Sequence, residues 1–380
     1  MPLSTIKTAS LADNAVSTAK IADTAVSTAK MANEALNGRR NLVINGAMEV
    51  DQRNATTTLG AITYGLDRFT AYKSHDGTQT MVQSTEAPTG FKNSLKVTTT
   101  TADSSLAAGQ RSSIIYRFEG QDTAHLEFGT SDAKTITLSF YVRSSITGTH
   151  GGNVGNGSDN RGYPFTYTIS SADTWERKTI TIPGDTSGTW VTTTARGLQI
   201  CWGLGVGTTY SGTAGAWASA DYNSATGATT GVTNTLNATW YLTGVQLEVG
   251  STATPFEHRP YADELQRCKR YFEKMYLNSY SCQLSAENSQ QAKGGVIRFV
   301  EKRASPSITF PTIGTGSNQL AYTEKSGSYV TQGSTFRSTQ TKNQMSIFNN
   351  YADGFSGMDA GENIMLYVNG SVAIDVKSEL

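Results

Sequence analysis

Residues 197–207 read GLQICWGLGVG, and the large apolar side chains fall on every second position: Leu198, Ile200, Trp202, Leu204 and Val206. Successive side chains of a strand point to opposite faces of its sheet, so period two marks a strand with one face on a core. The alternation recurs on both sides. Residues 135–143 carry Ile136, Leu138, Phe140 and Val142, residues 179–183 carry Ile180 and Ile182, and residues 239–250 carry Trp240, Leu242, Leu247 and Val249. Clusters of Gly, Asn, Asp and Ser separate these runs and supply turn geometry. From 41 to about 262 the pattern predicts antiparallel strands in a two-sheet sandwich or jelly roll. Trp202 belongs in its core, and Trp175, Trp190 and Trp240 lie in or beside strands.

The composition narrows the chemistry. Charged residues make up 16% of the 380 positions, below the usual quarter, and 31 basic residues balance 31 acidic ones. No net field draws nucleic acid or an anionic membrane, and Arg39 with Arg40 is too small a basic patch for nucleic acid. Cys201, Cys268 and Cys282 are odd in number and irregular in spacing, which fits neither a disulfide framework nor zinc. His75, His125, His150 and His258 are scattered. No metal or other cofactor is expected. No run approaches the roughly 20 apolar residues that span a bilayer, and the first residues lack the charged and apolar regions of a secretory signal. The expectation is therefore assembly in a cytosol with no membrane insertion. Nucleophile elbows, HExxH and a P-loop are absent, and the glycines of 151–157 and 203–207 read as turn glycines. The chain reads as a binding or structural protein and not an enzyme. A glycosidase needs only two carboxylates about 5–10 Å apart, so a depolymerase of surface polysaccharide stays as the alternative.

The outer segments differ from the sandwich. Residues 12–21 read ADNAVSTAKI, residues 22–31 read ADTAVSTAKM, and a third copy starts at 32. Leu11, Val16, Ile21, Val26, Met31 and Leu36 recur every five positions, a spacing that turns one α-helix through about 500° and so keeps no single face. Such a repeat buries its apolar residues only against neighbours or sister chains, which predicts a homotrimeric shaft over 1–40; the alternative is a solvated linker. Residues 263–276 predict a helical connector, with Leu265, Cys268, Phe272 and Met275 at 3-4-3 spacing and Leu265 and Phe272 as further trimer contacts. Residues 277–380 predict a C-terminal β-sandwich ending in a hairpin around Asn369-Gly370, because Asn-Gly between alternating runs is a strong hairpin signal. Two long loops are expected, at 150–162 and at 207–234. Trp217 and Tyr222 on the second loop are candidates for stacking on a sugar, unless they pin that loop to the sandwich. Tyr322, Tyr329 and Tyr351 are candidate receptor contacts at the far end.

Several stretches resemble the tail fibres of bacteriophages: RNLVINGAM at 40–48 with Gln52 and Arg53, YGLDRF at 64–69, and above all TGVQLEVGSTATPFEHRPYADELQRCKRYF at 243–272. The decapeptide repeats are similar to fibre shafts, and DVKSEL at 375–380 is similar to the ends of fibre tip domains. The resemblance implies a mostly β homotrimer joined to other virion tail proteins through its N-terminus. Its C-terminal domains would face a host glycan or protein receptor. A capsid-attached or purely structural fibre is the variant of this reading. The Asn-Leu-x-x-Asn-Gly start also resembles carbohydrate-binding jelly rolls, where an acidic residue after Asn-Gly holds a structural calcium. Glu49 stands near that place with Met48 in place of the usual aromatic, and no ligand is carried over.

Overall fold

The computed structural model describes residues 40–288, 291–309, 319–323, 329–330, 337–349 and 363–380. The expected shaft contacts Leu11, Val16, Ile21, Val26, Met31 and Leu36 lie outside them, as does Tyr351. Residues Asn41–Leu380 form one compact unit.

Its strands in chain order are β1 (Thr57–Thr58), β2 (Thr63–Tyr64), β3 (Phe69–Lys73), β4 (Thr78–Ser84), β5 (Ser94–Thr101), β6 (Arg111–Glu119), β7 (Ile136–Ser144), β8 (Gly148–Asn156), β9 (Gly162–Ile169), β10 (Glu176–Ile182) and β11 (Arg196–Val206). The short pair β12 (Ser211–Gly212) and β13 (Ser224–Ala225) precedes β14 (Thr239–Val249) and the nine-residue helix α1 (Tyr261–Lys269). Two antiparallel sheets, ordered β1-β4-β5-β14-β7-β10 and β2-β3-β6-β11-β8-β9, make the expected sandwich. The alternating residues do what their period demands. Leu138, Phe140, Leu242 and Leu247 from the first sheet meet Phe69, Ile114, Ile200 and Trp202 from the second in one core. Trp202 and Trp240 are fully buried, whereas Trp175 and Trp190 are half-buried.

The expected loop at 150–162 is largely strand. β8 and β9 occupy it and leave only 157–161 as a connection. Glycine carries no side chain to display a period, and here its absence is what permits the packing. A Cβ on Gly152 would stand 2.3 Å from Phe165 Cζ and 2.5 Å from the Cys201 carbonyl oxygen.

After α1 the chain enters β15 (Phe272–Asn288), β16 (Gln291–Arg298), β17 (Ser307–Thr309), β18 (Gln319–Thr323), β19 (Tyr329–Val330), β20 (Arg337–Gln340), β21 (Gln344–Asn349) and β22 (Asn363–Lys377). Among the described residues these form one sheet and not the expected sandwich, ordered β19-β18-β22-β15-β16-β21-β20 with β17 also on β22. The helix is shorter than 263–276, because Phe272 to Tyr276 pair with Lys377 to Ala373 and the sheet partner overrides helical spacing. The hairpin at Asn369-Gly370 is also replaced. β22 runs straight through, paired with β15 from Lys377 to Asn363, and the two residues fall at the register shift between Asn278 and Ser279. A long partner strand absorbs them as a bulge.

Candidate functional site

The stretches that suggested fibre proteins come together as a buried polar joint. Asn41 donates its backbone N–H to Glu257 Oε2 at 2.6 Å and its side-chain amide to the Val245 carbonyl at 3.0 Å, while its Oδ1 accepts from Val43 and Leu247 N–H. Asn45, at φ 61°, donates Nδ2 to the Val50 and Asp67 carbonyls and its backbone N–H to Glu264. Gly46 fits beneath the Val245 carbonyl, 2.2 Å from where a Cβ would sit. Arg259 joins both ends, donating to the Val43 carbonyl at 3.0 Å, to the Asn41 carbonyl, and to Glu264 Oε1 at 2.8 Å. Upstream, Glu248 gathers Gln246 and Thr254, which fixes the corner after β14.

The YGLDRF stretch serves the same joint. Asp67 accepts from Gln52 backbone and side-chain N–H, and burial pushes its carboxyl up to about 6 against those two bonds. Buried Arg68 lays its guanidinium 3.4 Å over the Tyr271 ring. Phe272, expected to face a sister chain, is buried in its own chain with the Arg53 guanidinium 3.8 Å over its ring. Leu265 is half-buried. Glu49 lines a small pocket in the joint with Glu257, His258 and Glu264. Among the described residues no three His, Cys, Asp or Glu side chains stand close enough to hold a metal ion.

The loop at 207–234 is a strap across the outer face of the second sheet. It crosses where that face is glycine: a Cβ on Gly203 would stand 2.9 Å from Ser224 Cβ, and one on Gly205 2.1 Å from Thr233 Oγ1. Arg111 anchors it, 2.9 Å from Asp221 Oδ2 and bonded to Asn223, with its guanidinium 3.8 Å over the Tyr210 ring. Half-buried Trp217 donates its indole N–H to the Pro183 carbonyl at 2.8 Å. Its ring meets Phe128, Tyr163 and Trp190 at 5.4–5.8 Å between centroids. The Tyr222 ring covers Gly212. Both side chains clamp the strap; the backbones of Tyr322 and Tyr329 pair β18 to β19.

An open cleft that the sequence did not signal lies between the sandwich and the C-terminal sheet. It measures ≈ 620 Å³ and is lined by Arg53, Ile62, Thr63 and Tyr64 on one side and by Arg303, Ser305, Ser307, Lys377 and Glu379 on the other. Arg53 Nη2 pairs with Glu379 Oε1, and the Tyr64 hydroxyl donates to the Leu380 carbonyl at 3.1 Å. Arg303 donates to the backbone carbonyls of Ser378, Glu379 and Thr194.

No family model matches the chain, and no curated protein matches it. Among solved structures, the enzymatically active domain of tailspike protein 4 from bacteriophage CBA120 aligns with 56% of this chain and 22% of its own, at 11% identity and a TM-score of 0.29. The alignment therefore spans under a quarter of that domain. A putative sugar binding protein from Bacteroides thetaiotaomicron aligns over 56% of this chain and 100% of its own, at 10% identity and 0.33. The family 11 carbohydrate-binding module of a Clostridium thermocellum cellulase aligns over 54% and 98%, at 10% identity and 0.27. Scores of this size carry no functional argument.

Proposed function

We propose that this chain is the subunit of a bacteriophage tail fibre that holds a glycan of the host surface without cleaving it. One observation carries the reading. The three stretches that resemble phage fibre proteins, 40–53, 64–69 and 243–272, converge on one buried joint through Asn41, Asn45, Asp67, Glu257, Arg259 and Glu264. Their convergence supports reading the three stretches as one architectural element of this chain. Binding in preference to cleavage is supported by the lining of the cleft, whose one carboxylate among the described residues, Glu379, is paired with Arg53, where glycosidases use two. In this reading residues 1–40 build the homotrimeric shaft and join other tail proteins, and the fibre is assembled in the host cytoplasm and carried on the virion.

Purified full-length protein should compete with phage for adsorption to host cells and leave the surface polysaccharide intact. Release of reducing sugar ends would instead establish the depolymerase, and absence of competition would leave a spacer. Light scattering should give a trimer for the full chain and a monomer once residues 1–40 are removed; a monomeric full chain sinks the shaft.

A further inference from the structure

We propose that the cleft bordered by Arg53, Tyr64, Arg303 and Lys377 is a subsite for an acidic saccharide, a sugar that carries a carboxylate or a phosphate. The inference rests on the glycan-binding reading above and names the class of sugar.

The cleft has the size of a ligand site, ≈ 620 Å³ where such pockets run about 300–1,000 Å³. Among the described residues its lining holds three cations, Arg53, Arg303 and Lys377, and the carboxylate of Glu379, with Asp375 beside Lys377. That carboxylate satisfies only part of Arg53, since Nη2 takes Glu379 while Nη1 is buried with no partner. An unmet guanidinium donor is costly, and an anionic oxygen is the acceptor that repays it most. Arg303 spends its donors on the main-chain oxygens of Ser378, Thr194 and Glu379, so among the described residues its bonds go to peptide dipoles. Lys377 stands at the rim, 39% exposed and 3.3 Å from Asp375. Around these charges Thr63, Ser305 and Ser307 offer hydroxyls for sugar hydroxyls, and the Tyr64 ring with exposed Ile62 offers an apolar side. A cleft that holds water alone predicts no preference for charge.

Calorimetric titration of the full-length protein separates these accounts, with tri-galacturonic acid as the carboxylate probe, mannose 6-phosphate as the phosphate probe and maltotriose as the neutral one. At least one anionic probe should bind about tenfold more tightly than maltotriose and weaken as sodium chloride screens it. The stronger of the two identifies the source of the charge. Arg53→Gln should cost that probe about tenfold or more. Because Arg53 is also packed in the joint, Ile62→Glu gives an independent test on an exposed side chain. It should leave the melting temperature unchanged and weaken the anionic probe about fivefold more than it weakens maltotriose. Equal binding of all three probes, or anion binding indifferent to Ile62→Glu, overturns the subsite. Host adsorption without an anion preference would overturn the subsite and keep the fibre. Anion binding in the cleft without host adsorption would keep the subsite and remove the fibre.

Discussion

Arg270 and Glu119 meet in a two-point ion pair, Nε to Oε1 at 2.7 Å and Nη2 to Oε2 at 2.9 Å. Arg270 follows the last turn of α1, and Glu119 ends β6 with its side chain fully buried. Tyr271 adds its hydroxyl to Glu119 Oε1 at 2.8 Å. The helix is fastened to the second sheet at this point.

Removing one partner should show how much the sandwich depends on that fastening. Glu119→Ala leaves Arg270 and the Tyr271 hydroxyl without their shared carboxylate, which costs about 3–5 kcal/mol when a buried pair is broken. Burial raises the Glu119 carboxyl, but the bonds from Arg270 and Tyr271 and their charges outweigh it and hold it below the ordinary 4.5. Its stabilisation is therefore present above pH 4.5 and lost as pH falls below it. Urea midpoints at pH 7 and pH 3.5 should differ less in the variant than in the parent.

Asp67 should act with the opposite sign. Its carboxyl is raised from 3.8 to about 6, so the folded state holds a proton that the unfolded chain releases. Stability contributed by this group is full below pH 3.8 and declines as pH rises through 6, by an amount of order 2–3 kcal/mol. Asp67→Asn should flatten the fall between pH 4.5 and pH 7.5. An unchanged slope would place the proton elsewhere.

Gly152→Ala should destabilise the second sheet, because the new methyl would meet the Phe165 ring and the Cys201 carbonyl. Overpacking of this kind costs about 1–3 kcal/mol. Gly203→Ala pushes on Ser224 instead, and faster amide exchange confined to 207–234 is the expected sign of a lifted strap.

The two thiols of the described core should be silent in the native protein. Burial pushes Cys201 up to about 12 and raises Cys268 as well, so neither offers a thiolate at pH 8. Iodoacetamide followed by peptide mapping should label both only after denaturation.

What the sequence made legible follows from what leaves a period. The strands expected at 135–143, 197–207 and 239–250 appear at Ile136–Ser144, Arg196–Val206 and Thr239–Val249, because one buried face forces alternation. Gly148–Asn156 hid, since its packing is made by missing side chains. Asn369-Gly370 misled because turn chemistry is local, whereas the partner β15 lies nearly ninety positions away in the chain. The joint was visible as a resemblance, yet its physical content, a set of buried amides and carboxylates, appears only in the contacts. Arg53 and Lys377 fell in the quoted stretches, but nothing in the sequence marked them, or Arg303, as lining one cleft. They come from opposite ends of the unit and meet only through the placement of the C-terminal sheet.

The grip of Arg259, Glu257 and Glu264 on Asn41 and Asn45 bears on mechanics. If the proposed fibre reading holds, a pull between residue 40 and a bound cell would be felt first at Asn41. Such a pull is shared among several charge-assisted bonds to Glu257, before α1, and to Glu264 within it. A hairpin edge peeled one bond at a time would tear sooner. The position is built as a rivet.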